Sequence, residues 1–164
     1  MPKEKIKLNN KIQISFFLGG LFAFFILTIV MPLIFIKYLS FSGIGHFFLE
    51  NTIYIIFSGI ILFYFSIVGA YYYDIKIDPY VIQITSFRPI AEIFQEKNFV
   101  DVPHIMLVDY AFFNRPLSFN KTLMLKIETD KKKKIIKRFN LTLISKKKIR
   151  KISRILDRII AKNN

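Results

Sequence analysis

The chain has 164 residues, of which 53% are hydrophobic and 16% aromatic, with a mean hydropathy of +0.40 and a formal net charge of +14. This length allows one ordinary soluble domain, but a soluble domain rarely averages this apolar. The absence of cysteine excludes disulfides, thiolate nucleophiles and cysteine-ligated zinc or iron–sulfur sites. All six glycines lie in the first 69 residues, so the composition changes near residue 73.

Two long uncharged segments are predicted to be transmembrane helices. The first covers residues 12–36 and the second covers residues 52–73. At about 1.5 Å per residue, each is long enough to cross a hydrocarbon core of roughly 30 Å. A buried core helix seldom runs this far without a charge. The first segment is also about twice as long as the apolar region of a signal peptide, and no small-x-small cleavage site follows it.

The distribution of lysine and arginine predicts the orientation of these spans. Residues 1–11 form a basic N-terminus with a net charge of +3, the connector 37–51 is neutral, and residues 74–164 carry +11. Because positive loops stay in the cytoplasm, we expect both termini inside and a short extracytoplasmic loop between the spans. Tyr71, Tyr72 and Tyr73 are expected in the inner aromatic belt. Richness in Lys, Ile, Asn and Phe indicates an AT-rich bacterial genome, and hence a bacterial inner membrane.

Small residues in or near the spans are candidates for close helix–helix packing. Ordinary membrane composition explains the same residues equally well. No charge lies inside either span, which disfavours a transporter made by this chain alone. Pro32 is expected to kink the first helix near its outer end. The candidate packing residues are Gly19, Ala23, Gly59, Ser66, Gly69 and Ala70.

The remaining 91 residues, 74–164, predict one small cytoplasmic α+β domain. Alternation of apolar and polar residues indicates antiparallel strands, with a turn at residues 130–133 joining the last two. Residues 90–96 are ambiguous between a strand and a short helix. The predicted extended segments are 80–85, 99–110, 123–128 and 138–143.

Apolar residues at helical spacing predict an amphipathic C-terminal helix. Ser145 is its expected N-cap. Basic residues occupy the side opposite the apolar face, and we expect the apolar face to close the sheet. The apolar residues are Ile149, Ile152, Ile155, Leu156, Ile159 and Ile160.

This order of two spans, strands and a closing helix resembles bacterial membrane proteins with a pleckstrin-homology-like domain. The segment Val102-Pro103-His104-Ile105 resembles that family's I-P-x-x-x-I strand start. The hairpin from Leu123 to Leu143 resembles its later strands, and the chain from Ser145 onward resembles its capping helix. The resemblance implies an antiparallel bent sheet or partly closed barrel, capped by the helix. It also implies a non-enzymatic domain that binds lipids, peptides or partner proteins. The lack of glycine after residue 73 departs from the family's usual tight turns.

Almost all of the excess charge lies in the last 34 residues, which carry fourteen basic residues and one acidic residue. One interpretation is contact with anionic lipid headgroups or an acidic partner; another is a solvated face with the positive-inside bias. No helix-turn-helix or base-stacking motif is present, and this disfavours the binding of nucleic acid by these basic residues. The candidate contact residues are Lys131, Lys132, Lys133, Lys134, Lys137, Arg138, Lys146, Lys147, Lys148, Arg150 and Lys151.

The residues needed for catalysis are not assembled in any recognisable pattern. The sequence contains no phosphate-binding loop, dinucleotide fingerprint, zinc-protease motif or nucleophile elbow. His104 is the only histidine after residue 73, and nothing pairs Asp101 with Asp109 as acid and base. We therefore expect no catalytic, cofactor-binding or metal site. Phe112, Phe113 and Arg115 form either an exposed contact loop or a segment whose rings fold into the core.

These features predict a non-catalytic integral membrane protein that acts as an accessory or assembly subunit. Its basic cytoplasmic domain would bind a protein partner or an anionic lipid surface. The expected partners are membrane lipids and other membrane subunits, or further copies of the same chain. The alternative is a ligand-gated membrane effector of the defence type, in which a small β domain senses a nucleotide-like signal and the spans oligomerise. An immunity-type protein is a third possibility without direct support in the residues.

Overall fold

The computed structural model divides the chain into two compact units. One unit contains residues 1–14 and 70–164, and we call it the β-domain. The other contains residues 15–69, and we call it the helical insert, because it interrupts the sequence of the β-domain. The predictions for residues 90–96 and for Lys131 lie outside the described residues. The structure describes residues 5–39, 42–89, 97–116, 118–129 and 132–163.

Helices make up the described part of the insert. Lys11 to Tyr38 form one continuous helix with a π-helical turn at Ile26–Val30, in which the Met31 N–H donates to the Ile26 carbonyl. Pro32 follows in the first turn of the next segment. The wider turn accommodates a ring that would otherwise clash with the carbonyl four residues back. The α-helical segments are α1 (Lys11–Phe25), α2 (Met31–Tyr38), α3 (Gly43–Glu50) and α4 (Ile53–Val68).

Among the described residues, the helix from Lys11 to Tyr38 is the one that is long and apolar enough to cross a membrane. A second span exists only if α3 and α4, which are bent by 62° at their break, count together. The α4 helix ends at Val68, where Gly69 takes a φ of 69°, and Tyr72 already begins a strand. The predicted end of the second helix at residue 73 is therefore wrong. The predicted connector 37–51 contains α3.

The insert folds back on itself and leaves its apolar side chains exposed. The rings of Phe17 and Phe65 meet edge to face at 5.6 Å, and those of Phe35 and Phe48 stack at 5.9 Å. Only 6% of the most apolar window of the first helix is buried within the chain.

The β-domain contains two antiparallel sheets followed by a helix, among the residues described. Sheet A has the order β1-β2-β3-β4 and sheet B has the order β5-β6-β7. The predicted antiparallel strands and C-terminal helix are confirmed, and the strands form two sheets. The strands of sheet A are β1 (Ile6–Asn9), β2 (Tyr72–Ile77), β3 (Val81–Phe87) and β4 (Asn98–Pro103). Those of sheet B are β5 (Leu107–Asn114), β6 (Asn120–Glu128) and β7 (Lys134–Thr142), and the helix is α5 (Lys146–Asn163).

One apolar core lies between the two sheets and α5. Alternate residues of β2 and β3 are buried, as are Leu123 and Leu125 of β6. Ile152 and Leu156 of α5 close this core. The apolar face of the helix is therefore used inside the domain, as expected, because the sheets alone would leave one side of the core open.

The strand β1 was not expected in the basic N-terminus. Ile6 pairs with Ile77 and Leu8 pairs with Ile75, and Ile6 is buried. The two residues alternate with polar neighbours over only four positions, which is too short a pattern to detect beside lysines. Because β1 pairs with β2, the chain leaves and re-enters the β-domain at neighbouring strands.

Candidate binding surfaces of the β-domain

A buried polar cluster joins the two points at which the chain leaves the β-domain. Asn10 is only 1% exposed. Its Nδ2 donates to the carbonyls of Tyr71 at 2.9 Å and Thr142 at 3.1 Å, and its Oδ1 accepts from the Tyr73 N–H at 2.9 Å. The Thr142 hydroxyl accepts from the Tyr71 N–H at 2.7 Å and donates to Oδ1 of Asn120. The two exits are thereby fixed to each other and to sheet B.

Basic and apolar side chains surround these exits. Lys148 Nζ donates to the Asn9 carbonyl at 3.2 Å, so the start of α5 lies beside the end of β1. The Leu143 N–H donates to the Phe119 carbonyl at 3.2 Å, which places the β5–β6 connection beside the end of β7. Phe119 is 56% exposed although it is a large apolar residue.

The connection between β3 and β4 adds two cations at the same end. Tyr72 pairs with Phe87 in the sheet register. The Arg88 guanidinium lies over the Tyr71 ring at 4.9 Å, and Lys97 Nζ lies over the Phe87 ring at 4.9 Å. We call this end of the domain the junction face. Its members are Lys11, Arg88, Lys97, Arg115, Phe119, Leu143, Lys146, Lys147 and Lys148.

The basic residues singled out from the sequence do not form one surface. Lys146, Lys147 and Lys148 lie on the junction face, and Arg150 and Lys151 are exposed in the next turn of α5. The chain then continues along that helix away from the face.

Three of these residues lie far from the junction face, since Lys132, Lys133 and Lys134 are exposed at the tip of the β6–β7 hairpin. From Lys134 to Thr142 the strand extends roughly 27 Å at about 3.3 Å per residue. This is about three Debye lengths at physiological salt, so the tip lysines act on a charged surface separately from the junction face. Lys137 and Arg138 lie between, along β7, and Arg138 lines one surface cavity with Arg115 of the junction face.

A cavity of about 480 Å³ lies at the opposite end of α5 from the junction face. The β2–β3 turn, the 3-10 turn after β4 and the last two turns of α5 form its walls. Arg158 and Lys162 are its cationic lining residues, and Asp78 is its acidic one. The Asp78 carboxylate pairs with Lys5 Nζ at 3.2 Å, so the local charge is net positive. None of the site residues expected from the sequence lines this cavity.

His104 connects the walls of this cavity. Its N–H donates to the Tyr80 carbonyl at 2.9 Å, and its own carbonyl accepts from Asn163 Nδ2 at 2.6 Å. Desolvation by burial lowers the pKa of the imidazole, and the positive charge of Lys162 acts in the same direction. Hydrogen bonds to backbone carbonyls of Asp78 and Val81 act the other way. The buried Nε2 has no hydrogen-bond partner among the described residues.

Two tyrosines of the core region differ in their hydrogen bonding. Burial raises the pKa of Tyr73 to about 12, and its hydroxyl is buried without a partner in the described ranges. Burial also raises the pKa of Tyr110, and the hydrogen bond that its hydroxyl donates to Asp157 at 2.7 Å raises this pKa further. The Tyr110 hydroxyl also donates to the Ser153 carbonyl at 3.3 Å, and so ties β5 to α5.

The proposed aromatic contact loop is part of a strand. Phe112 and Phe113 both belong to β5, whose alternation turns Phe112 towards the core and leaves Phe113 exposed. The two rings therefore lie in a strand and only one of them packs on the core, while a contact through Phe113 and Arg115, which lies just beyond the strand, stays a prediction. Asp101 accepts from Gln83 Nε2 at 3.2 Å, whereas Asp109 accepts from the Tyr110 N–H at 2.8 Å.

The small residues predicted for helix packing do not make close contacts within the described chain. A Cβ added at Gly19 or Gly59 would meet nothing within 4 Å. Ser66 donates to the Leu62 carbonyl of its own helix at 2.9 Å. Of the remaining candidates, Ala23 is exposed in α1, Gly69 ends α4, and Ala70 is buried in the β-domain. Packing against another chain stays a prediction for Gly19, Ala23, Gly59 and Ser66.

Comparison with known proteins gives no assignment, because no family model, curated protein or solved structure matches the chain. The structure itself brings forward residues that sequence reasoning missed, namely Asn10, Lys97, Phe119 and the cavity around Tyr80. Only Phe119 carried a sequence signal, as an isolated phenylalanine between Pro116 and a strand. The others depend on contacts between residues far apart in sequence.

Proposed function

We propose that this chain is a non-catalytic membrane-anchored binding module. The helical insert crosses a bacterial inner membrane as a hairpin, and the β-domain lies on its cytoplasmic side. The resemblance to pleckstrin-homology-like domains is part of the proposal. It is supported by two antiparallel sheets that share one core with a C-terminal helix.

The pairing of β1 with β2 carries the proposal. These strands flank the insert and belong to one sheet, so both must lie on the same side of any membrane. An insert that crosses the membrane must then cross it an even number of times. The exposed apolar helix from Lys11 to Tyr38 supplies one crossing, and α3 with α4 supplies the other. The alternative of a helix left exposed in water is disfavoured by the cost of hydrating its apolar surface.

The proposed activity is attachment of the junction face to anionic headgroups. The exits of the insert lie in this face, so a membrane-embedded insert holds it near the surface. Each basic group close to such a surface contributes about 1 kcal/mol, and the attraction fades within a Debye length of about 8–10 Å. The hairpin lysines lie roughly 27 Å away along β7 and contribute little. Exposed Phe119 is suited to the interfacial region.

This module would position the β-domain as an accessory or assembly subunit beside other membrane proteins. A second candidate is the ligand-gated membrane effector, which is favoured by one observation, the cavity near His104. Under that alternative the cavity would take a signal molecule and the insert would oligomerise.

Labelling of single cysteines in intact and permeabilised cells tests the topology, since the native chain has none. A membrane-impermeant maleimide should react with Leu39→Cys, between the two crossings, from outside and with Lys133→Cys only after permeabilisation. Both side chains are exposed, so their reactivity reports the compartment. Recovery of the chain in the soluble fraction, or equal labelling of both positions in intact cells, would contradict the proposal.

A further inference from the structure

The cavity at the end of α5 has walls that are fixed before any ligand arrives. The Asp78 N–H donates to the Val81 carbonyl at 3.0 Å within the β2–β3 turn. The Asn163 side chain bonds the carbonyls of His104 and Leu107 at 2.6 and 3.0 Å, and so joins the helix end to the other wall. A preformed cavity of this kind binds without a large ordering cost.

The interior of the cavity is apolar and its rim exposes two large side chains. Ile77 and Ile159 reach it from the buried core, and Ile155 adds to the same wall. At the rim, Tyr80 is 65% exposed and Ile105 is 79% exposed. An apolar body placed between them would remove this surface from water, and the volume of about 480 Å³ is in the range of small-molecule sites.

Two basic side chains and one acidic side chain line the cavity. Arg158 and Lys162 lie four residues apart on α5, and therefore on the same side of the helix. Lys5 already compensates the acidic Asp78. Asp157, the one acid of α5, is bonded to Tyr110 and does not line the cavity.

We propose that this cavity binds a small anionic amphiphile, with the apolar body between Tyr80 and Ile105 and the carboxylate or phosphate on Arg158 and Lys162. This site goes beyond attachment of the junction face, because it lies at the other end of α5 and does not require the membrane surface. It would let the domain respond to a molecule with the chemistry of a fatty acid or a lipid phosphate.

Photolabelling of the full chain in lipid nanodiscs tests the site. The probe is a diazirine analogue of octanoate, with cross-links mapped by mass spectrometry. Saturable labelling should fall on residues 77–80, 103–105 and 155–163. Competition by octanoate and by octyl phosphate distinguishes a carboxylate from a phosphate headgroup. Octanol should compete at least tenfold more weakly, since it lacks the charge.

Variants separate this site from the junction face. The double variant Arg158→Gln/Lys162→Gln should weaken labelling at least tenfold, and Ile105→Glu should do the same by placing a negative charge on the exposed rim. The matched control Arg150→Gln/Arg154→Gln removes the same charge from α5 outside both the cavity and the junction face and should leave labelling unchanged. Unmapped or non-saturable labelling, equal competition by octanol, or labelling that survives both cavity variants in folded protein would overturn the proposal. Loss of lipid attachment with intact photolabelling would instead contradict only the proposed function.

Discussion

Asn10 and Tyr73 lie 63 residues apart, on opposite sides of the insert, and the side chain of one holds the backbone of the other at 2.9 Å. Asn10 also bonds the carbonyls of Tyr71 and Thr142. A single buried amide thus joins the two points at which the chain leaves and re-enters the β-domain, and it keeps these exits adjacent.

Replacing this amide should destabilise the β-domain strongly. Asn10→Ala leaves the buried Tyr73 N–H and two carbonyls without their partner, at a cost of about 2–4 kcal/mol in the free energy of unfolding. The neighbouring Asn9→Ala is the matched control, because the side chain of Asn9 is exposed. This control should lower the free energy of unfolding by no more than about 0.5 kcal/mol. Thermal unfolding of the full chain in nanodiscs, followed by tyrosine circular dichroism, measures both. Equal melting temperatures for the two variants would show that the network does not hold the exits.

Removing the hydroxyl of Tyr73 should raise the free energy of unfolding, whereas removing the hydroxyl of Tyr110 should lower it. Tyr73→Phe relieves a buried hydroxyl that lacks a partner in the described chain, so stability should rise by up to about 1 kcal/mol. Tyr110→Phe loses the hydrogen bonds to Asp157 and Ser153 and should cost about 0.5–1.5 kcal/mol. The same unfolding assay compares them. A loss of stability in Tyr73→Phe would reveal a partner for its hydroxyl.

Stability should fall on mild acidification because of His104. Its folded pKa lies below the ordinary 6.5, so the unfolded chain binds the proton more tightly. The stabilisation is complete above pH 6.5 and is lost as the pH falls through the lower folded value. Desolvation and Lys162 both oppose protonation. Melting temperatures between pH 7.5 and pH 5.5 should decline less in His104→Gln than in the native chain. If the melting temperatures of the native chain and of His104→Gln fall in parallel over this pH range, His104 is not the cause of the loss of stability.

Gly69 should be needed for its backbone conformation, whereas Gly59 should not. Gly69 ends α4 with a φ of 69° and a ψ of 149°, a region that side chains strongly disfavour. Gly69→Ala should therefore cost on the order of 1–3 kcal/mol. Gly59 is inside the same helix, and a Cβ there meets no atom within 4 Å, so Gly59→Ala should be neutral or slightly stabilising. Resistance of each variant to proteolysis in nanodiscs ranks them. Equal protection would contradict the strain assigned to Gly69.

Local pattern is enough to predict β3, β6, β7 and α5, because each alternates or repeats over at least six residues. It was insufficient for β1, whose partner Ile77 lies 71 positions beyond Ile6 in sequence. The lack of charge at Tyr71–Tyr73 predicts a helix that continues to residue 73, and only the pairing of Tyr72 and Tyr73 with β3 shows that these two residues belong to the sheet. The concentration of lysine and arginine in the tail can be read from the sequence alone. The division of these residues between the hairpin tip and the junction face depends on the strand register, which the sequence pattern does not give.

We propose that the junction face, and not the whole basic tail, meets an anionic membrane. Phe119→Cys carrying an environment-sensitive nitrobenzoxadiazole dye reports this contact directly in nanodiscs. Its fluorescence should rise when about a third of the neutral lipid is replaced by anionic lipid, and high salt should reverse the rise.

The decisive comparison uses two triple variants of equal charge. Lys146→Gln/Lys147→Gln/Lys148→Gln should abolish the lipid-dependent rise, since three groups at about 1 kcal/mol each are lost. Lys132→Gln/Lys133→Gln/Lys134→Gln should leave it intact. A dye signal that ignores lipid charge, or that falls equally in both variants, would contradict attachment through the junction face.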